Sequence, residues 1–209
     1  MRVLVPFDGR NPNSRLSPTL SAAERRELAD ALREDVLDAI RNAGAEPLVV
    51  ATTDVEASAP VSVDDRSLST AVNARLEAET PTAVVMADLG LATPRVLSRF
   101  FDASGDLVVA PGRGGGTNAL VVSRPEFRVD YHGASYLDHH RIADEIDASV
   151  AVVDSHRLAT DADEPADLAE LLIHAEADDE ADGGRAARWL RDAGFALDAT
   201  DGRVGIGRE

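Results

Sequence analysis

Cysteine and lysine are both absent from this 209-residue chain, and each absence closes off chemistry. Without cysteine there is no disulfide framework and no thiolate metal site, so a cytoplasmic address is the expectation. Without lysine there is no Walker loop, because that phosphate cradle needs a Lys beside its Ser or Thr. Aromatic residues make up only 4% of the chain. No stretch approaches the ~20 consecutive apolar residues of a membrane-spanning helix. A signal peptide is not expected either, since Met1-Arg2-Val3-Leu4-Val5 reads as a first strand. Positive charge is scarce: 21 basic residues, all Arg, face 38 Asp and Glu, for a net charge of −17. Such an excess repels nucleic acid and anionic membranes, which argues against both as partners.

What is present suffices for one α/β domain with an extension, since 44% of the residues are hydrophobic. The acidity, the missing lysine and the few aromatics together resemble proteins of extreme halophiles. At ~1 M salt the Debye length is about 3 Å, and self-repulsion is then largely screened. An acidic protein of ordinary salt requirement is the other reading of the same composition.

Hydrophobic patterning predicts strands at 2–7, 47–52, 61–63, 83–86, 106–110, 118–122 and 149–153. Helices are expected at 22–42, 68–79, 94–101, 136–146 and 165–174. Ser21 with Glu24 is a capping box opening the first helix, and Thr93-Pro94 is an N-cap with Pro behind it. Strands alternating with helices point to a three-layer α/β fold with a mainly parallel sheet. Residues 175–184 read as an acidic linker. A small extension at 185–209 follows, a helix and then a hairpin turning at Asp201-Gly202. Cutting within so polar a linker should cross few contacts, so the extension is expected to be dispensable for chemistry.

The most informative segment runs from Gly112 to Leu120, strand to glycine-rich loop to strand. Glycines permit positive φ and close approach to a ligand, and successive N–H groups in such a turn can cradle an anion. The segment is not a Rossmann fingerprint, which would run into a helix. A hairpin turn with surplus glycines is the bland alternative. Asp8, Asp88 and this loop all fall just past strand ends, where open α/β sheets bind ligands.

Asp88 follows a buried strand, and Asp161 and Asp163 precede a helix. Residues two apart on an extended segment face one way, and hard oxygen ligands suit Mg²⁺. Asp163 or Asp167 as a helix cap is the plainer alternative. Adjacent His139 and His140 point about 100° apart on a helix, with neither Cys nor an HExxH spacing, so zinc is not expected. Ser135 reads as an N-cap or an anion contact at a helix start. Arg15 and Arg113 are placed to meet phosphate.

Taken in order, several segments resemble the CofC family, the 2-phospho-L-lactate guanylyltransferases of coenzyme F420 biosynthesis. They are Val5-Pro6, Ser14-Arg15-Leu16, Leu20-Ser21 with Glu24-Arg25, Asp35-Val36, Val72-Asn73 and Ala87-Asp88-Leu89. The series continues with Gly115 to Leu120, Ser135 with His139 and Ala143, Asp161 to Pro165, and Asp167-Leu168. The resemblance covers residues 1–174, the expected nucleotidyltransferase domain, and implies a GT-A-like nucleotidyltransferase fold of nucleotide-diphospho-sugar transferase type. It also implies Mg²⁺, GTP and a small phosphorylated carboxylic acid, and leaves room for a homodimer. By the same resemblance, Asp88, Asp161 and Asp163 hold metal, and Asp88 and Arg15 act in catalysis. Pro6, Arg15, Asn73 and Ala87 face the nucleotide, while Thr117, Gly133 and Ser135 bind the phosphorylated acid. The chain departs from the family at Asn13, usually Lys, at Gly90, usually Pro, and at His132, usually Gly. Phosphoenolpyruvate and 3-phosphoglycerate share the acceptor's phosphate and carboxylate, and an inactive nucleotide-binding relative is the non-catalytic alternative.

Overall fold

The computed structural model describes residues 1–177, 183–199, 202 and 204–208. Its strands and helices are β1 (Arg2–Phe7), α1 (Ala22–Asn42), β2 (Glu46–Ala51), β3 (Val61–Val63), α2 (Leu68–Leu76), β4 (Thr82–Val85), α3 (Pro94–Phe101), β5 (Leu107–Pro111) and β6 (Thr117–Val122). They continue with α4 (Ser135–Glu145), β7 (Val150–Val152), α5 (His156–Ala159), α6 (Pro165–Ala177), α7 (Gly184–Asp192), β8 (Phe195–Asp198) and β9 (Gly205–Arg208). Of these, the short α5 was not anticipated. Seven strands form one sheet in the order β3-β2-β1-β4-β6-β5-β7. β6 runs antiparallel to both neighbours, and the other pairings are parallel. The expected mainly parallel mixed sheet is the one observed.

Alternation along the strands makes two cores. One face buries Val3, Val5, Ala83, Val85, Val108 and Val121 against α1, α3 and α5. The other buries Leu4, Val84, Val109, Leu120 and Val122 against α2 and α4. The first helix begins where expected: Glu24 N–H donates to the Ser21 hydroxyl, and Ser21 N–H donates to Glu24 Oε2 at 2.8 Å.

A third core lies outside the sheet, between α1, α6 and α7. Leu16, Leu28 and Leu32 meet Leu168, Leu171, Ala186, Leu190 and Phe195 there. Trp189 Nε1–H donates to Glu27, Arg185 pairs with Asp38, and Arg208 pairs with Glu24 at 2.6 Å. The C-terminal segment, expected as an appendage with few crossing contacts, therefore shares a core with the first helix. Half of the expected acidic linker (178–182), and Asp201 of the expected hairpin turn, lie outside the described residues. Gly90 belongs to this core: a Cβ there would come within 2.5 Å of Leu32 and 2.8 Å of Leu171.

Candidate active site

Several of the polar residues that the sequence singled out gather at one end of the central strands. β1 and β4 end there at Phe7 and Val85, β5 at Pro111, and the antiparallel β6 begins there at Thr117. Asp88 sits just beyond β4. Its backbone carbonyl accepts the Ala162 N–H at 3.0 Å, and the Ala162 carbonyl accepts from Asn13 Nδ2 at 2.9 Å. Ala162 itself is buried, so Asp161 and Asp163 flank a residue locked inward. Carboxylate oxygens of Asp88, Asp161 and Asp163 all lie within 4.8 Å of one another.

Three carboxylates so close destabilise one another's charge. Burial, reinforced by Asp163 and Asp161, pushes the Asp88 carboxyl up to about 7, and burial with Asp161 raises Asp163 as well. Asp88 Oδ1 is buried and has no hydrogen-bond partner. A lone buried carboxylate oxygen facing two more carboxylates has the chemistry of a cation ligand.

The glycine loop is less open than a phosphate cradle. The N–H groups of Gly112, Arg113 and Gly115 donate to the carbonyls of Gly116, Ala159 and Gly112. Gly115, at φ +82°, offers its carbonyl to the Tyr136 N–H and so fastens the loop to the start of α4. Gly133, at φ +52°, lies on the other side of that start. Ser135 is the first residue of α4 and not its N-cap, a position that Ala134 takes. The hydroxyl is thus carried into the first turn, and Ser135 is almost fully buried.

A β-bulge aims the two polar residues that open β6. Ala110 pairs with Ala119 and Pro111 with Thr117, which leaves Asn118 as the extra residue. One extra residue inverts the alternation of side chains beyond it. Asn118 consequently points to the same face as Ala119, where its Nδ2 donates to the Leu158 carbonyl at 3.0 Å and reaches Asp161 at 3.4 Å. Thr117 turns to the opposite face, with Oγ1 at 2.9 Å from His139 Nδ1. Gly112 is required beside this bulge, since a Cβ would come within 2.4 Å of Asn118 Oδ1.

The remaining sequence candidates divide. Pro6, Asn13, Ala87 and Asp88 line one cavity of ≈ 120 Å³. Arg15 pairs with Asp163 at 2.7 Å while leaving most of its side chain exposed. Asn73 holds the segment before α4: its amide donates to the Val129 carbonyl and accepts the Val129 N–H. Arg113 pairs with Asp167, which also accepts the N–H groups of Asp163 and Glu164. Asp167 is thus the helix-capping carboxylate, and Asp163 remains with the cluster. Asp8 accepts from the Arg10 N–H in a local turn and from the Thr52 hydroxyl just past β2. Exposed His132 pairs with Asp130.

Sequence reasoning missed three partnerships: Asn118 with Leu158 and Asp161, His139 with Thr117, and Asp167 with Arg113. Asn118 and Asp167 lay inside quoted motifs, but no spacing signal pointed to these partners. His139 was excluded as a zinc ligand, and the structure gives both of its nitrogens other partners. A further group, His156, Glu170 and His174, brings donor atoms within 4.8 Å beside Arg157, and sequence reasoning did not single it out.

A family profile described as "Guanylyl transferase CofC like" matches residues 1–205. Among relatives named 2-phospho-L-lactate guanylyltransferase, that of Halorubrum lacusprofundi is 61% identical over 219 residues, covering all of both chains. That of Haloferax volcanii is 56% identical over all of this chain and 99% of its own. That of Halomicrobium mukohataei is 54% identical over all of both. Among solved structures, a candidate nucleotide-diphospho-sugar transferase from Desulfovibrio desulfuricans G20 superposes with a TM-score of 0.74. It covers 91% of this chain and 94% of its own at 11% identity, a likeness of fold alone.

Proposed function

The chain belongs to the CofC-like guanylyl transferases, and from that membership we propose that it transfers GMP from GTP to 2-phospho-L-lactate. The products are pyrophosphate and lactyl-2-diphospho-5′-guanosine, a step of coenzyme F420 biosynthesis. A phosphate oxygen of phospholactate attacks the α-phosphorus of GTP. The bond from that phosphorus to the oxygen bridging the β-phosphate breaks, and pyrophosphate leaves with the electron pair. A phosphate monoester has its second pKa at about 6, so the nucleophile is largely deprotonated at neutral pH and needs no strong base.

The observation behind this assignment of the site is the carboxylate cluster of Asp88, Asp161 and Asp163, with an unpartnered oxygen on Asp88. Hard oxygen donors of this kind fit Mg²⁺. When bound, the ion supplies charge neutralisation for the nucleotide phosphates and the departing pyrophosphate. Asn13 and Asn118 hold the segment bearing Asp161 and Asp163 in register with Asp88. Arg15 presents a guanidinium fork suited to phosphate, and Pro6 and Ala87 wall the nucleotide side. Thr117, Gly133 and Ser135 receive the phosphorylated acid at the start of α4, where the helix dipole favours an anion. The acid-rich surface suits molar salt, in keeping with haloarchaeal relatives, and GTP supply argues for the cytoplasm.

The test is pyrophosphate release with Mg²⁺, crossing GTP, ATP, CTP and UTP with 2-phospho-L-lactate, phosphoenolpyruvate and 3-phosphoglycerate. Turnover is expected to be greatest with GTP and 2-phospho-L-lactate. Preference for either other acceptor would reassign the substrate, and no turnover with any pair would overturn the assignment.

A further inference from the structure

His139 is completely buried, on α4, and takes no part in the chemistry described so far. Its ring packs at 5.9 Å from Phe127 and edge-on to Tyr131 at 5.2 Å. Both ring nitrogens have partners, and the partners fix the tautomer. Nε2 lies 3.1 Å from the backbone N–H of Asp130, which can only donate. Nε2 must therefore be the unprotonated nitrogen, and the ring proton of the neutral imidazole resides on Nδ1. Nδ1 faces Thr117 Oγ1 at 2.9 Å, so Nδ1–H donates and the hydroxyl oxygen accepts. The Thr117 hydroxyl proton is then left without a claim from His139. Burial holds the imidazole at about 4 against the opposing pull of Asp130 and Asp138, so it stays neutral at physiological pH.

We propose that His139 is a positioning residue for guanylyl transfer: by donating from Nδ1 it commits the Thr117 hydroxyl to act as a donor toward the acceptor substrate. A threonine hydroxyl rotates and can either donate or accept, and an oxyanion needs donors only. A ring that already fills one lone pair of Oγ1 fixes both the role and the direction. This rests on the assignment of Thr117 to the phosphorylated acid. A second line of geometry supports it, for Asp130 N–H and Thr117 grip the same ring from opposite sides. The chain before α4 and the first residue of β6 thereby become one unit.

Two substitutions separate the roles of the ring. His139→Asn places an amide N–H near Nδ1 and keeps a donor for Thr117 while losing the acceptor for Asp130. His139→Gln reaches Asp130 with its carbonyl oxygen and loses the donor to Thr117. With His139→Gln, KM for 2-phospho-L-lactate should rise about ten- to a hundredfold, the scale of a hydrogen bond to a charged group, with KM for GTP unchanged. His139→Asn should stay within about threefold of wild type in that KM, even if it melts lower. Thr117→Val should match His139→Gln, and the double variant should be no worse than Thr117→Val. Long-range ¹⁵N–¹H correlation on the wild-type full chain reads the tautomer directly, whether or not a variant folds.

A proton found on Nε2 overturns the proposal. So does a raised KM in Thr117→Val without one in folded His139→Gln. An unchanged KM in Thr117→Val instead removes Thr117 from acceptor binding, and the proposal falls with it, while the tautomer is still settled by the spectrum.

Discussion

Asp88 illustrates how one residue sets conditions for the whole site. Its carboxyl is raised to about 7 by burial and by Asp163 and Asp161, so the metal-free fold carries a proton that the unfolded chain has already lost above pH 4. Stability of the metal-free protein should therefore fall as pH rises from about 4 to 7 and level off beyond. Mg²⁺ should reverse that loss, with tighter binding at higher pH, because the ion displaces the proton. Asp88→Asn should lower the rate of pyrophosphate release by roughly 10²–10³ or more. The same variant should melt a few degrees above wild type in chelator at pH 8, since like-charge repulsion is relieved. Thermal melts with and without Mg²⁺ check both directions. A lower metal-free melting temperature in Asp88→Asn would show that Asp88 supports the fold by contacts other than its charge.

At the scale of elements, the decisive feature is the bulge that opens β6. It sends Asn118 toward Asp161 and Thr117 toward His139, so the carboxylate cluster and the proposed acceptor site lie on opposite faces of one edge. Gly112 leaves room for it. Gly112→Ala would force a methyl group into the space held by Asn118 Oδ1 and displace that amide from Asp161 and Leu158. Weaker Mg²⁺ binding and lower kcat are expected, with the sheet and the melting temperature little altered, because the loop lies at the edge of the core. Titration of Mg²⁺ against activity in Gly112→Ala and wild type decides the matter. Equal half-saturation would show that Asn118 has no hold on the cluster.

The whole molecule is bound together through its third core. Leu16 adjoins Arg15, and Ala162 sits between Asp161 and Asp163; both are buried among α1, α6 and α7. Truncation after Ala177 would expose Leu16, Leu28, Leu32, Leu168 and Leu171 to water. Each large apolar side chain is worth roughly 1.5–3 kcal/mol on burial. The shortened chain should melt well below the full one and lose turnover with it, contrary to the expectation of a dispensable extension. Wild-type turnover in a soluble truncated protein would restore that expectation. The charge of −17 acts at the same scale: stability should rise from low to molar KCl as repulsion is screened. A melting temperature that stays flat or falls over that range would argue for an acidic protein of ordinary salt requirement.

The one-dimensional pattern alone was enough for the order of strands and helices apart from the short α5, because burial periodicity and caps such as Ser21 with Glu24 and Thr93-Pro94 are local. Asp88, Asp161 and Asp163 could be singled out too, because they stand at element ends in quotable motifs; their convergence within 4.8 Å belongs to the tertiary structure. The direction of β6 within the sheet, the bulge at Asn118 and the seat of α7 on α1 were decided by tertiary structure. So were the partners of the polar side chains: Asn73 turned to Val129, Arg113 to Asp167, and His139 to Thr117. A sequence shows that such a residue can form hydrogen bonds. Which bond it forms depends on segments tens of residues away, brought within 3 Å only when the cores close.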